Sequence, residues 1–193
     1  VKVSGAAEAV YKNTGHGERD WNPDDDDARA GVRDLRSLLK MLNYKVERLG
    51  LAEGLASEVP QDATAVVIVD PGQELLDEEV ASLRSFLDRG GSLLVLLDPE
   101  GEEPIGLDPL LNPLGIDFQS GVLAHESRYI PKTRQISERK LLYTNRYSSH
   151  PAVKTLQKAS SRFPVVVSGS GYLETAEGTA RGERPDVVLK SMS

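Results

Sequence analysis

The segment Gly15-His16-Gly17-Glu18-Arg19-Asp20 holds the residue types best able to do chemistry in this sequence. Two glycines flanking one residue permit a tight turn with close backbone approach. His16 between them changes charge near neutral pH, and Glu18 can accept or deliver a proton. The same glycines also suffice for a turn that His16 merely caps, so the segment is a candidate binding loop with a sufficient structural role beside it.

Asp70 and Asp98 each close a short apolar run and precede a proline. As Asp-Pro turns they bond the backbone that follows. As strand ends in an open α/β sheet they would also stand at the crevice rim where ligands sit. Asp24–Asp27 offers the hard oxygens a divalent cation prefers, but consecutive carboxylates point different ways and lack EF-hand spacing, so the run reads as a solvated helix start. His16, His125 and His150 are scattered and make no H-E-x-x-H pattern, so no metal site is expected.

A further set is Arg128, Lys132, Arg134, Arg139, Lys140 and Arg146, interleaved with Tyr129, Tyr143 and Tyr147. This basic, aromatic stretch in an acidic chain suits phosphate, anionic lipid or an acidic partner. A solvated loop balancing the acidic side is the plainer account. Arg128, Arg134, Arg139, Tyr143 and Arg146 are its candidate interface residues.

Composition removes whole classes of function. The chain has 193 residues, 30 acidic against 23 basic, a net charge of −7 and no Cys. Without Cys there is no disulfide framework, thiolate zinc site or cysteine nucleophile. The acidic balance argues against nonspecific nucleic-acid binding. No phosphate loop or dinucleotide fingerprint is present. Ser168-Gly169-Ser170-Gly171 resembles a nucleophile elbow only superficially, because no helical pattern follows it. No catalytic residue and no cofactor is therefore assigned. With 39% hydrophobic and 27% charged residues, the composition is globular.

The elements that must position these residues alternate between strand and helix. Glu8–Thr14 can form a strand ending at Gly15. Ala28–Leu42 carries Val32, Leu35, Leu38, Leu39 and Leu42 at helical spacing, with Asn43 as its stop. Ala65–Val69 and Ser92–Leu97 read as buried strands. Between them Asp77-Glu78-Glu79 opens a helix with Val80, Leu83, Phe86 and Leu87 on one face, and Gly90-Gly91 ends it. This βαβ unit places both strands in one parallel sheet. Core strands are expected near 9–14, 44–49, 65–69 and 92–97, in a single α/β domain. Residues 1–7 read as a linker. Leu107–Leu114 reads as a short helix, Gly115–Leu123 as an edge strand, and 124–150 as an extended excursion. Pro151–Ala159 is helical, and Phe163–Ser168 and Asp186–Leu189 are strands separated by Gly- and Glu-rich turns. The apolar runs are too short to cross a bilayer, and the ends of the chain read as those of a fragment whose flanking membrane anchors lie outside it.

T-G-H-G-E-R-D at 14–20, P-x-D-A-x-x-V-V-I-V-D-P at 60–71, L-x-x-F-L-D-R-G-G-S-L-L-V-L-L-D-P at 83–99, L-x-P-L-G-I at 111–116 and Y-S-S-H-P at 147–151 occur in this order. In these segments, over roughly 8–170, the chain resembles the soluble domain of GldG-type ABC transporter auxiliary proteins, the gliding-motility-associated transport family. Related domains occur in intraflagellar-transport proteins and in a subunit of eukaryotic oligosaccharyltransferase. The resemblance implies a three-layer α/β sandwich with a mainly parallel central sheet, flavodoxin-like or class I glutamine-amidotransferase-like. It also implies an extracytoplasmic (periplasmic) location between membrane helices, with an ABC permease and ATPase as partners. Lys12 and Asn13 stand where the family pattern calls for apolar residues, which counts against complete burial of the first strand.

With a flavodoxin-like strand order, Gly15–Asp20 and Asp70–Gln73 would flank one crevice, with Asp98–Gly101 beside them. The acidic run 24–27 would repel anions, so a saccharide-like ligand or a basic protein surface fits better than a nucleotide. The expected function is non-catalytic binding in export or gliding-type transport. The alternative is a small hydrolase or ligand-binding enzyme using the Gly15-His16-Gly17-Glu18 loop.

Overall fold

Four short strands pair in parallel at the centre of the first part of the chain. The computed structural model describes residues 8–21, 31–99, 106–133, 135–175 and 185–191. The expected linker at 1–7, the acidic run 24–27, the helix start expected at 28–30, residues 100–105 and Arg134 lie outside the described residues. Two compact units divide the chain: Val1–Leu97 with Ile105–Leu110, and Asp98–Pro104 with Leu111–Ser193.

In the first unit, β1 (Ala9–Thr14), α1 (Gly31–Met41), β2 (Lys45–Gly50), β3 (Ala63–Val69), α2 (Asp77–Asp88) and β4 (Ser92–Leu96) follow one another. The sheet order is β2-β1-β3-β4 and every neighbour is parallel. The connections β1-α1-β2 and β3-α2-β4 step outward in opposite directions. Right-handed crossovers therefore put the two helices on opposite faces, giving a three-layer α/β sandwich. On the α1 face, Val10, Val67, Val69 and Trp21 pack with Val32, Leu35 and Leu39. Val66 and Ile68 point the other way and are fully buried too, as are Leu83 and Phe86 of α2. A strand covered on both faces demands a nearly continuous apolar run, as in Ala63–Val69. β4, expected to be buried, is instead the end strand of the sheet and leaves Ser92, Leu94 and Leu96 exposed on one face.

Two helix stops follow from backbone chemistry. Asn43 adopts φ 67° after α1 and Gly90 φ 90° after α2, the left-handed conformation that ends a helix. Gly91 is required for a different reason. A Cβ there would run into the Phe86 ring, so the β4 strand can start beneath α2 only without a side chain.

β1 corrects the expectation of incomplete burial. Lys12 is 2% exposed and Asn13 0%. β1 is an inner strand of the sheet, so its residues are covered whatever their chemistry. The nitrogen donors find local partners: Lys12 Nζ donates to the Asn13 carbonyl at 3.2 Å, and Asn13 Nδ2 donates to Glu18 at 2.8 Å. Tyr11 on the same strand donates its hydroxyl to Asp62 at 2.9 Å. Burial first, then the Asp62 hydrogen bond and the negative charges of Asp62 and Glu47, push its pKa up to about 12. A raised folded-state pKa contributes stability that is complete below the ordinary value of 10.0 and lost as pH rises towards 12. Tyr11→Phe should therefore remove part of the alkaline fall in stability. Urea midpoints of the two proteins should converge between pH 9 and pH 12, a comparison that would fail if their difference stayed constant.

After β4 comes a helical turn, α3 (Asp108–Leu111), with Leu107 and Leu110 buried. The second unit then contains β5 (Ile116–Gln119), β6 (Leu141–Thr144), β7 (Arg146–Tyr147), α4 (Lys154–Lys158), β8 (Val165–Ser168), β9 (Tyr172–Thr175) and β10 (Leu189–Lys190). These strands form three antiparallel pairs, β5 with β9, β6 with β8 and β7 with β10. The strand expected within Gly115–Leu123 is β5, but it pairs with β9 instead of extending the parallel sheet. β9 itself lies in a segment that reads as turns. Tyr172–Thr175 is exposed throughout, so no alternation of apolar and polar residues marks it.

Candidate functional site

β1 and β3 are neighbours, so the loops that leave their carboxyl ends meet. Gly15 (φ 118°) and Gly17 (φ 78°) turn the chain sharply after β1 in conformations that side chains resist. The loop is then laced to the end of β3. Gly72 N–H donates to the His16 carbonyl at 2.7 Å, and Arg19 N–H donates to the Val69 carbonyl at 3.3 Å. Arg19 Nε donates to Asp70 Oδ2 at 2.9 Å, while Asp70 itself holds φ 49°. Asp tolerates that left-handed backbone better than most residues, and its side chain is held by the charge-assisted bond.

Inside the loop, the Glu18 carboxylate accepts from Asn13 Nδ2 and from the His16 backbone N–H at 2.9 Å. His16 is buried, and its Nε2 donates to Glu79 Oε2 at 2.9 Å. Glu79 is 0% exposed. It lies in the first turn of α2, and the same Oε2 accepts the Leu76 N–H at 2.9 Å. A helix N-terminus presents unpaired N–H groups and a positive dipole end that an anion can satisfy. Here the protein's own carboxylate takes that place. Glu79 Oε1 is a buried atom with no partner among the described groups, as are Asn13 Oδ1 and Ser82 Oγ.

Gly15, His16, Gly17, Glu18, Arg19, Asp20 and Asp70 thus gather at one edge of the sheet. Asp20 lies at the exposed end, 3.3 Å from Arg48. Asp98 belongs to the second unit. Sequence reasoning passed over Glu79, which reads as one of three acidic residues opening a helix. The signal was its place three residues after Leu76, where a carboxylate can reach back to the chain entering the helix.

In the second unit the described residues of the basic stretch make the following contacts. Arg139 pairs with Glu126 at 2.9 Å. Arg146 donates to the Ser191 carbonyl at 3.0 Å, beside the β7–β10 pair. Tyr143 lies opposite Val166 in the β6–β8 pair, and both are exposed. The Arg128 backbone N–H, with that of Ser127, donates to His125 Nδ1. Among the described residues no group of three or more His, Asp or Glu side chains is placed to hold a metal ion, and no helix is long and apolar enough to cross a membrane.

The family model for an ABC-type uncharacterized transport system matches residues 9–172. Comparison with curated protein sequences gives no match. One similar solved structure is the mmIFT52 N-terminal domain, with a TM-score of 0.65 at 18% identity over 88% of this chain and 69% of that one. At that identity the likeness establishes a shared fold.

Proposed function

The chain belongs to the ABC-type transport-system auxiliary family, and from that premise we propose that it is a non-catalytic binding domain whose β1–β3 rim docks onto another component of its transporter. The carrying observation is the filled crevice. In a doubly wound sheet this is where a nucleotide or substrate enters, yet here His16 bonds Glu79 and Arg19 bonds Asp70. A hydrolase using the Gly15–Glu18 loop would need His16 Nε2 for its substrate, and that atom is engaged with a buried carboxylate. What stays outward at this edge is Gly15, Gly17, Asp20, Gly72 and Gln73, a rim of backbone and small polar groups. Such a rim suits a protein surface or a saccharide hydroxyl face.

The transporter association follows the family. The permease and ATPase as contacts, the extracytoplasmic face and membrane helices beyond this segment complete the reading, with export or gliding-type transport as the process served.

The test adds positive charge to the rim and leaves the His16–Glu79 and Arg19–Asp70 bonds in place. Asp20→Lys with Gln73→Lys alters two exposed side chains, and the Asp20–Arg48 pair it removes contributes little at such exposure. In the full-length protein this variant should remain folded by thermal melt and lose co-purification with the permease and ATPase. If it assembles normally while Arg128→Ala with Arg139→Ala does not, docking belongs to the second unit.

A further inference from the structure

The parallel sheet ends in β2 on one side and in β4 on the other, and the two edges are built differently. β2 carries Lys45, Glu47 and Arg48, the kind of charge that keeps a sheet edge from accepting another strand. β4 is Ser-Leu-Leu-Val-Leu, with no charged residue and no proline. Its register with β3 runs from Ala65–Ser92 to Val69–Leu96 without a bulge. β4 therefore has none of the devices that blunt an edge. We propose that it is an interaction edge taken by a second copy of this chain, with the two β4 strands pairing antiparallel.

The backbone sets the alignment. Asp70 N–H donates to the Leu96 carbonyl at 2.8 Å, so the backbone groups of Leu96, and with them those of Leu94 and Ser92, point at β3. Those of Leu93 and Val95 point away from it. Among the described residues these outward groups have no hydrogen-bond partner. A twofold axis at Leu94, the middle of the strand, sets Leu93 of one copy opposite Val95 of the other. Two outward-pointing residues placed so exchange both of their bonds. Every outward donor and acceptor within Ser92–Leu96 is then used.

Side chains and charge favour the same partner. Leu94 and Leu96 are in register with Val67 and Val69, on the face that carries α1, yet they are 41% and 42% exposed. The twofold axis brings Leu94 against Leu94 and Leu96 against Ser92, cross-strand neighbours that shield one another from water. The nearest charges on either side of the strand are Arg89 and Asp98. Antiparallel pairing carries the Arg89 end of one copy to the Asp98 end of the other, so opposite charges meet at both ends. Such an interface is isologous and closes at two copies. A five-residue strand makes a small one, below the about 1,200 Å² of stable complexes, so the dimer should dissociate in the micromolar-to-millimolar range.

The experiment is sedimentation velocity of the 193-residue chain over a concentration series, with hydrogen exchange followed by NMR. A dimer that dissociates on dilution is expected, and exchange at the Leu93 and Val95 amides should slow as it fills. Leu94→Lys and Leu94→Glu each set like charges across the axis and should weaken dimerisation about tenfold or more. An equimolar mixture of the two variants should recover the dimer, because opposite charges then face each other. Leu94 is exposed, so both variants should stay folded in thermal melts; if one does not, the two wild-type amides decide. A chain that remains monomeric at about 1 mM overturns the proposal. So does a dimer that neither variant weakens, and so does a mixture that dimerises no better than each variant alone. Slowing of the two amides only when permease and ATPase are added to a monomeric chain gives the edge to a transporter component, and overturns it as well.

Discussion

Replacing His16 with Leu should destabilise the protein by about 1–3 kcal/mol, the cost of leaving a buried polar group without its hydrogen-bond partner. Glu79 is wholly buried, and one of its oxygens already has no partner among the described groups. His16 is the side chain that meets the other oxygen, at 2.9 Å. Removing it takes away the side-chain partner of Glu79 Oε2 and leaves that atom with the Leu76 N–H among the described groups. The companion variant His16→Leu with Glu79→Leu should recover much of the loss, because an apolar pair of similar volume carries no desolvation cost. Urea unfolding of the two single variants and the double variant gives the coupling directly. A second readout is local: hydrogen exchange at the Gly72 amide, bonded to the His16 carbonyl, should accelerate in the single variant. Additive single effects, with no recovery in the double variant, would show that the pair does not hold the loop to α2.

Lys12→Met should act in the opposite direction and stabilise by about 1–4 kcal/mol, as apolar replacement of buried charge often does. Lys12 is 2% exposed on an inner strand, in register with Val67 and Arg48 and on the Val10 face. Burial holds its ammonium pKa below the ordinary value, against the pull of Glu18 and Asp20. A depressed lysine pKa means that the unfolded chain binds more protons, so this group's cost weakens as pH rises. The gain in Lys12→Met should therefore be largest near neutral pH and shrink towards the ordinary lysine pKa of about 10.4. Guanidinium midpoints of both proteins at pH 7 and pH 10 test magnitude and sign together. A variant less stable than wild type at pH 7 would mean that the ammonium, set among Glu18 and Asp20, holds the strand end in place.

Features governed by residues close together in the chain were readable without a structure. The expected strands near 9–14, 44–49, 65–69 and 92–97 appear as Ala9–Thr14, Lys45–Gly50, Ala63–Val69 and Ser92–Leu96. α2 is readable because acidic residues open it, Val80, Leu83 and Phe86 recur at helical spacing, and Gly90 can adopt the left-handed stop. Handedness then follows from backbone chirality alone. The gathering of Gly15–Asp20 with Asp70 was also legible, since parallel strands send their following loops to the same edge.

What that edge is made of was not legible. Lys12 and Asn13 look like exposed residues by type, but strand position in the sheet decides burial, and β1 became an inner strand only through pairing with β2 and β3. Glu79 looks like a surface helix start until α2 packs against the sheet and brings it to His16. The antiparallel pairing of β5 with β9 likewise joins segments with no shared local pattern. Periodicity, caps and turns report free energies exchanged between near neighbours along the chain. Desolvation of Lys12, Asn13 and Glu79, and the bonds that compensate it, arise only when distant segments exclude water from the same place.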